Sequence, residues 1–186
     1  MLAYSSVEHI GIITFGIGVG GSLGLYGAIL HMLNHSIVKS MLFMTTGNIE
    51  QRFQTKQTDE VRGLFRVLPV TALAYTIGVL TIAGAPPFNI FVSEITIMIA
   101  GFSEGKGIVT TIFIFAILVI FAGMIIAMVK MVLGEPEVEK KAYQWGLSSK
   151  IPLLLPIIAI MLLAIYIPPF IKEALQQIVH LFEGGF

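Results

Sequence analysis

Cysteine is absent from the 186 residues. That excludes Cys-ligated iron–sulfur clusters, Cys-bound nickel and disulfides within the chain. Any redox chemistry near this protein therefore belongs to another subunit, and no cofactor is expected in this chain. Charge is scarce: 12% of residues are Asp, Glu, Lys or Arg, against about 25% in a soluble domain. The 11 basic residues cancel the 11 acidic ones, so there is no electrostatic case for nucleic acid or an anionic surface. The opening stretch, Met1 to Ser6, has none of the basic residues a secretory signal needs, and it enters apolar sequence at once.

What remains is apolar. Hydrophobic residues make up 56% of the chain and the mean hydropathy is +0.91. The chain reads as an all-α integral membrane protein. Hydropathy gives about five spans: Ser5–Gly21, Leu25–Gly47, Val67–Gly101, Ile108–Leu133 and Ile151–Ile167. They form one transmembrane bundle, residues 1–168. Residues 169–186 are a separate amphipathic segment. There Ile171, Leu175, Ile178, Val179 and Phe182 fall near one helical face, suited to the membrane surface or a neighbouring subunit.

The third span is too long for one crossing. Its 35 residues would reach about 52 Å as a helix, against a hydrocarbon core of about 30 Å. Gly84-Ala85-Pro86-Pro87 supplies a break, because the prolines remove backbone donors and Pro87 pushes Pro86 out of the α region. Irregular backbone at membrane depth survives only where it is buried or lines a hydrated cavity, and broken helices mark ion or substrate sites in transporters. Glu94 lies just beyond the break and is the only charge between Arg66 and Glu104.

The second span carries three ionisable side chains at steps of four: His31, His35 and Lys39. Steps of four advance about 40° each beyond a full turn, so the three form one stripe about 12 Å long. A lysine facing lipid costs a few kcal/mol, so the stripe must face other helices or buried water. Intramembrane ionisable groups mark proton or ion paths by default, and Lys39 is the expected partner or relay neighbour of Glu94. Glu8 and His9, at the start of the first span, and Lys130, near the end of the fourth, are further relay candidates. Lys130 is also explained by snorkelling to the interface. Paired histidines four apart suit zinc. Here Met32 stands where a zinc-protease motif has glutamate and no third ligand is evident, so no metal is assigned.

Gly16-x-Gly18-x-Gly20-Gly21 contains a formal GxGxxG. With no preceding strand and no following acidic residue, it reads as close helix packing rather than a nucleotide loop. Trp145 reads as an interfacial anchor, and Met128 and Met131 as packing. The loops at 48–66 and 134–150 carry Arg52, Lys56, Arg62, Arg66, Lys140, Lys141 and Lys150; the opposite side offers Lys106 and Lys172. Seven against two puts the N-terminus and both loops in the cytoplasm and the C-terminus outside.

Several ordered motifs then resemble a known family: Leu2-Ala-Tyr-Ser-Ser-Val-Glu-His-Ile-Gly11, His31-x3-His35-x3-Lys39-Ser-Met-Leu-Phe43, Gly47-Asn-Ile49, Gly63-Leu64 and Gly84-Ala-Pro-Pro-Phe88-x3-Val92-Ser-Glu94. The order resembles the antiporter-like subunits of respiratory complex I, of Mrp-type sodium/proton antiporters and of energy-converting membrane hydrogenases. The Ser-Ser-Val-Glu-His version looks most like the hydrogenase and formate-hydrogenlyase branch.

The resemblance implies a fold of fourteen transmembrane helices with two inverted five-helix repeats, of which this chain is similar to the second half. It implies that Lys39 is the central lysine of a half-channel, that His31 and His35 lead to it, and that Glu94 is the charged residue of the second broken helix. It implies proton, or sodium, translocation in a redox-driven complex of a prokaryotic inner membrane. Other membrane subunits would be partners, including a chain that supplies the first repeat. The competing readings are a non-conducting structural subunit in the antiporter position and a free-standing antiporter.

Overall fold

The computed structural model describes residues 2–135 and 147–183, and every described element is helical. The helices are α1 (Leu2–Val19), α2 (Gly21–Phe53), α3 (Leu64–Val67), α4 (Pro69–Ile82), α5 (Asn89–Ser103), α6 (Gly107–Leu133), α7 (Leu147–Ile165) and α8 (Pro169–Glu183), with a 3-10 turn at Thr58–Glu60. Trp145, Lys140 and Lys141 lie outside the described residues.

The central element is α2, which packs against α1, α4, α5, α7 and α8. It runs for 33 residues, about 50 Å, well past the Gly47 end expected from hydropathy. The reason is periodic: Ile49 and Phe53 prolong its apolar face and pack with Val61 and Leu64 after the chain turns back. Gln54 then closes the helix in the left-handed region, with its N–H on the Glu50 carbonyl at 2.8 Å.

The α1–α2 corner turns at Gly20 and at Gly21, the first residue of α2, which both have positive φ, 78° and 66°, a conformation that costs any other L-residue about 1–2 kcal/mol. In the glycine-rich run before it Gly16 serves packing, as expected, whereas a Cβ on Gly18 would meet nothing within 4 Å. A Cβ on Gly16 would lie 3.1 Å from Ala28 Cβ and from Ile97, so the site holds α1 close to α2 and α5. Lys106 fastens the same end by donating to the last carbonyls of α1, at Gly18 (2.9 Å) and Val19 (2.7 Å).

The third span is broken where expected. α4 has 14 residues and α5 has 15, about 21–23 Å each and too short to cross alone. Pro69 starts α4 at its first turn. Gly84 takes φ +77° after its end, and the Pro86–Pro87 bond is cis.

Among the described residues, α1 and α6 are long and apolar enough to cross a membrane by themselves. α7 and α8, bent by 71°, make a third crossing if taken as one span. α2 has the length but carries the polar stripe. α8 lies across the start of α2 and buries Leu175 and Val179, while Leu181 and Phe182 stay exposed. α6 buries Met124, Met128 and Met131 in the core and turns Ile108, Ile112, Phe115 and Leu118 outward. Tyr75 of α4 donates to the Met131 sulfur at 3.3 Å, a packing role for that methionine.

Candidate functional site

Antiparallel packing builds the site. α1 and α5 both run against α2, so residues early in α1 meet residues late in the stripe, and Ser93 and Asn89 of α5 meet His31 and Asn34. His9 and His31 are fully buried, Glu94 is 3% exposed and Lys39 is 6% exposed. Buried polar groups at this density need partners, since each one left unsatisfied costs about 1–3 kcal/mol.

The partners form a chain. His9 Nδ1 lies 2.8 Å from His31 Nε2, and His31 Nδ1 lies 2.9 Å from Ser93 Oγ. The Ser93 hydroxyl donates to the Ile90 carbonyl at 2.8 Å. A hydroxyl has one proton, so Ser93 must accept from His31 Nδ1–H. In the neutral pair His31 Nε2 then accepts from His9 Nδ1–H. That leaves His9 Nε2 bare; it is buried and makes no full hydrogen bond, with the Ile82 carbonyl facing the ring. The His9 ring stacks on His35, 4.6 Å between centroids, and meets His31 edge to edge, with 5.0 Å between centroids.

At the other end of the stripe Lys39 Nζ donates to the Leu2 carbonyl at 2.5 Å and to Ser5 Oγ at 2.8 Å, and it lies 5.7 Å from the Phe43 ring centroid. Glu8 is within Coulombic reach of Lys39 and of Glu94. One of its oxygens, Oε2, is buried without a hydrogen bond. Glu8 also lines a cleft of about 690 Å³ between α1 and α6, alongside Gly11, Phe113 and Gly123.

Lys39 is not the partner of Glu94. No ion pair joins the two, whereas Lys56 pairs with Glu50 at 3.4 Å on the surface. The reason is level along α2: Glu94 follows Ser93, which meets His31, and Lys39 is eight residues away, about 12 Å. Instead one ligating atom each of Glu94, His9 and His31 lie within 4.8 Å of one another. The Glu94 carboxylate presses on Gly84, leaving no room for a side chain there. Lys130 is exposed on the last turn of α6 and does not join the cluster.

Two features escaped the sequence reading. Asn34 and Asn89 lock α2 to the break: Asn34 Nδ2 donates to the Asn89 carbonyl (2.8 Å), Asn89 Nδ2 to Asn34 Oδ1 (3.0 Å), and Ile90 N–H to Asn89 Oδ1 (3.0 Å). Ser93, one residue before Glu94, is the acceptor that orients His31. An Asn and a Ser on the buried faces of apolar helices were the available signals.

The fold and this cluster define a multi-pass helical membrane protein with an ionisable core at a broken helix. The family follows from comparison. A family profile described as "NADH:quinone oxidoreductase/Mrp antiporter, TM" matches residues 1–119, and the chain belongs to that family. A Hydrogenase-4 component F homolog from Methylacidiphilum infernorum (isolate V4) is 31% identical over 177 residues, which take in 95% of this chain and 36% of the relative.

Two solved structures share the architecture. A chain of the membrane-bound sulfane sulfur reductase, an archaeal respiratory membrane complex, is 30% identical with a TM-score of 0.83, covering 96% of this chain and 37% of that one. A chain of respiratory complex I from Thermus thermophilus, 20% identical, has a TM-score of 0.86 over 97% of this chain and 38% of its own; it speaks for the fold alone. This chain thus spans little more than a third of each protein compared.

Proposed function

We propose that this chain moves protons as one membrane subunit of a redox-driven complex, by a relay through Glu8, His35, His9, His31 and Glu94, with Lys39 as the fixed charge at its end. The observation that carries this reading is the hydrogen-bonded His9–His31–Ser93 chain. A proton taken up at the bare His9 Nε2 makes an imidazolium. The Nδ1 proton then passes along the 2.8 Å nitrogen–nitrogen contact to His31 Nε2, and Glu94, next to both rings, takes the proton onward. Nitrogen lone pairs with a single carboxylate suit protons better than sodium, which prefers a cage of oxygens.

Lys39 offers three N–H donors, of which Leu2 and Ser5 hold two. The third is left for Glu8 or water, through which the state of Lys39 is felt by the histidines. The relay is driven by redox-linked changes in other membrane subunits. The protein sits in a prokaryotic inner membrane, with its N-terminus and charged loops cytoplasmic and its C-terminus outside.

The test is proton translocation coupled to electron transfer in vesicles holding the assembled complex. His31→Gln and Glu94→Gln should abolish acidification and leave assembly intact. The second reading, a structural subunit that conducts nothing, draws on the same bonds, because they also tie α1, α2 and α5 together. It requires these substitutions to weaken assembly and to spare pumping per assembled complex.

A further inference from the structure

We propose that His9, His31 and Glu94 form a binding site for one divalent transition-metal ion of the zinc type. The three candidate ligand atoms already lie within 4.8 Å of one another, all on buried residues. Two imidazole nitrogens and one carboxylate oxygen are a common zinc set, with water in the fourth position. Imidazole selects zinc, copper, cobalt or nickel over calcium, magnesium or sodium.

The outer shell is what singles this trio out. A metal-bound histidine almost always donates its other ring N–H to a carbonyl, carboxylate or similar acceptor, which fixes the tautomer. His31 Nδ1–H has Ser93 Oγ, itself pinned by its bond to the Ile90 carbonyl, so His31 Nε2 is a ready lone pair. His9 needs only its other tautomer. Its Nε2–H would then point toward the Ile82 carbonyl, which faces the ring. The backbone bonds that close α4 go to Val79, Leu80 and Thr81 rather than to Ile82, so that acceptor is available. Two bare nitrogens, His9 Nδ1 and His31 Nε2, would then face each other across 2.8 Å, an arrangement that a shared cation relieves.

The required movement is a tilt of the two rings, whose facing nitrogens now point almost straight at each other, with little change in their separation. Zinc–nitrogen bonds of about 2.0–2.1 Å at a tetrahedral angle put the nitrogens about 3.3 Å apart, half an ångström beyond their present separation. Glu94 completes the set by closing on them away from Gly84. The nearby charges are Glu8, which offsets the added positive charge, and Lys39 and His35, which oppose it. The ion would occupy the lone pairs on which the proposed relay runs, and so act as a blocker. That consequence rests on the relay; the binding does not.

The test uses the complete assembly purified through this chain in mild detergent, stripped with a chelator and titrated with Co2+. The difference spectrum between wild type and Glu94→Gln isolates this site from metals elsewhere in the assembly. One Co2+ per chain with the visible bands of a tetrahedral nitrogen–oxygen site, displaced by Zn2+, is expected. Loss of an outer-shell partner weakens metal binding by about 10–100-fold, so Ser93→Ala should fall in that range and Glu94→Gln and His31→Gln beyond it. His180→Gln, exposed on α8, should change nothing. The proposal is overturned if Co2+ binds Glu94→Gln and His31→Gln as it binds wild type, or if the signal disappears with His180→Gln. Should His31→Gln fail to assemble, the near-isosteric Glu94→Gln decides.

Discussion

The Nδ1 atom of His31 sits 2.9 Å from the hydroxyl oxygen of Ser93, although 62 residues separate them in the chain. That bond sets the direction of every proton from His9 to α5. Replacing Ser93 by Ala removes the acceptor and frees the His31 ring to rotate. The expected result is a complex that assembles normally and pumps at least several-fold more slowly, with Ser93→Thr restoring most of the rate. Equal pumping by Ser93→Ala would show that the ring needs no anchor.

Gly84→Ala is expected to be more damaging than its size suggests. The position has φ +77°, which costs a non-glycine residue about 1–2 kcal/mol, and a Cβ there would run into the Glu94 carboxylate. Glu94 would be displaced from the histidines, so pumping should fall together with thermal stability in detergent. Gly11→Ala, where a Cβ meets nothing within 4 Å, should be neutral by both measures.

Asn89→Ala would leave Asn34 Oδ1 and the Ile90 N–H without their present partners. Buried groups left unsatisfied cost about 1–3 kcal/mol each. The melting temperature of the assembly should drop, with limited proteolysis showing a new cut near the break. An unchanged melting curve would mean that water replaces the amide.

The absence of cysteine makes sidedness directly measurable. Lys56→Cys and Lys106→Cys introduce single thiols at opposite ends of the bundle. In intact cells an impermeant maleimide should label the second and spare the first until the membrane is opened. The reverse pattern would invert the proposed orientation.

How much of this was legible in the sequence follows from where its signals lie. The stripe His31, His35, Lys39 was visible because a helix repeats every 3.6 residues, and the break because two prolines cannot continue one. The site needed contacts that leave no local trace. His9 reaches His31 across 22 residues, and Asn34 reaches Asn89 across 55. The pairing of Lys39 with Glu94 failed for the same reason: charge complementarity in sequence says nothing about level, and the antiparallel packing of α5 puts Glu94 more than two helical turns from it. The overrun of α2 past Gly47 was missed because hydropathy falls there while the helical period carries on through Ile49 and Phe53.

The break between α4 and α5 therefore has a counting role. Each residue of a helix turns the next by about 100°, and Ser93 and Glu94 owe their bearing toward the histidines to the number of residues between Ile82, where α4 ends, and Asn89, where α5 begins. One residue added or removed there would swing Glu94 out of phase with His9 and His31 even if both half-helices kept their places. The spacing is as much a part of the site as the side chains are.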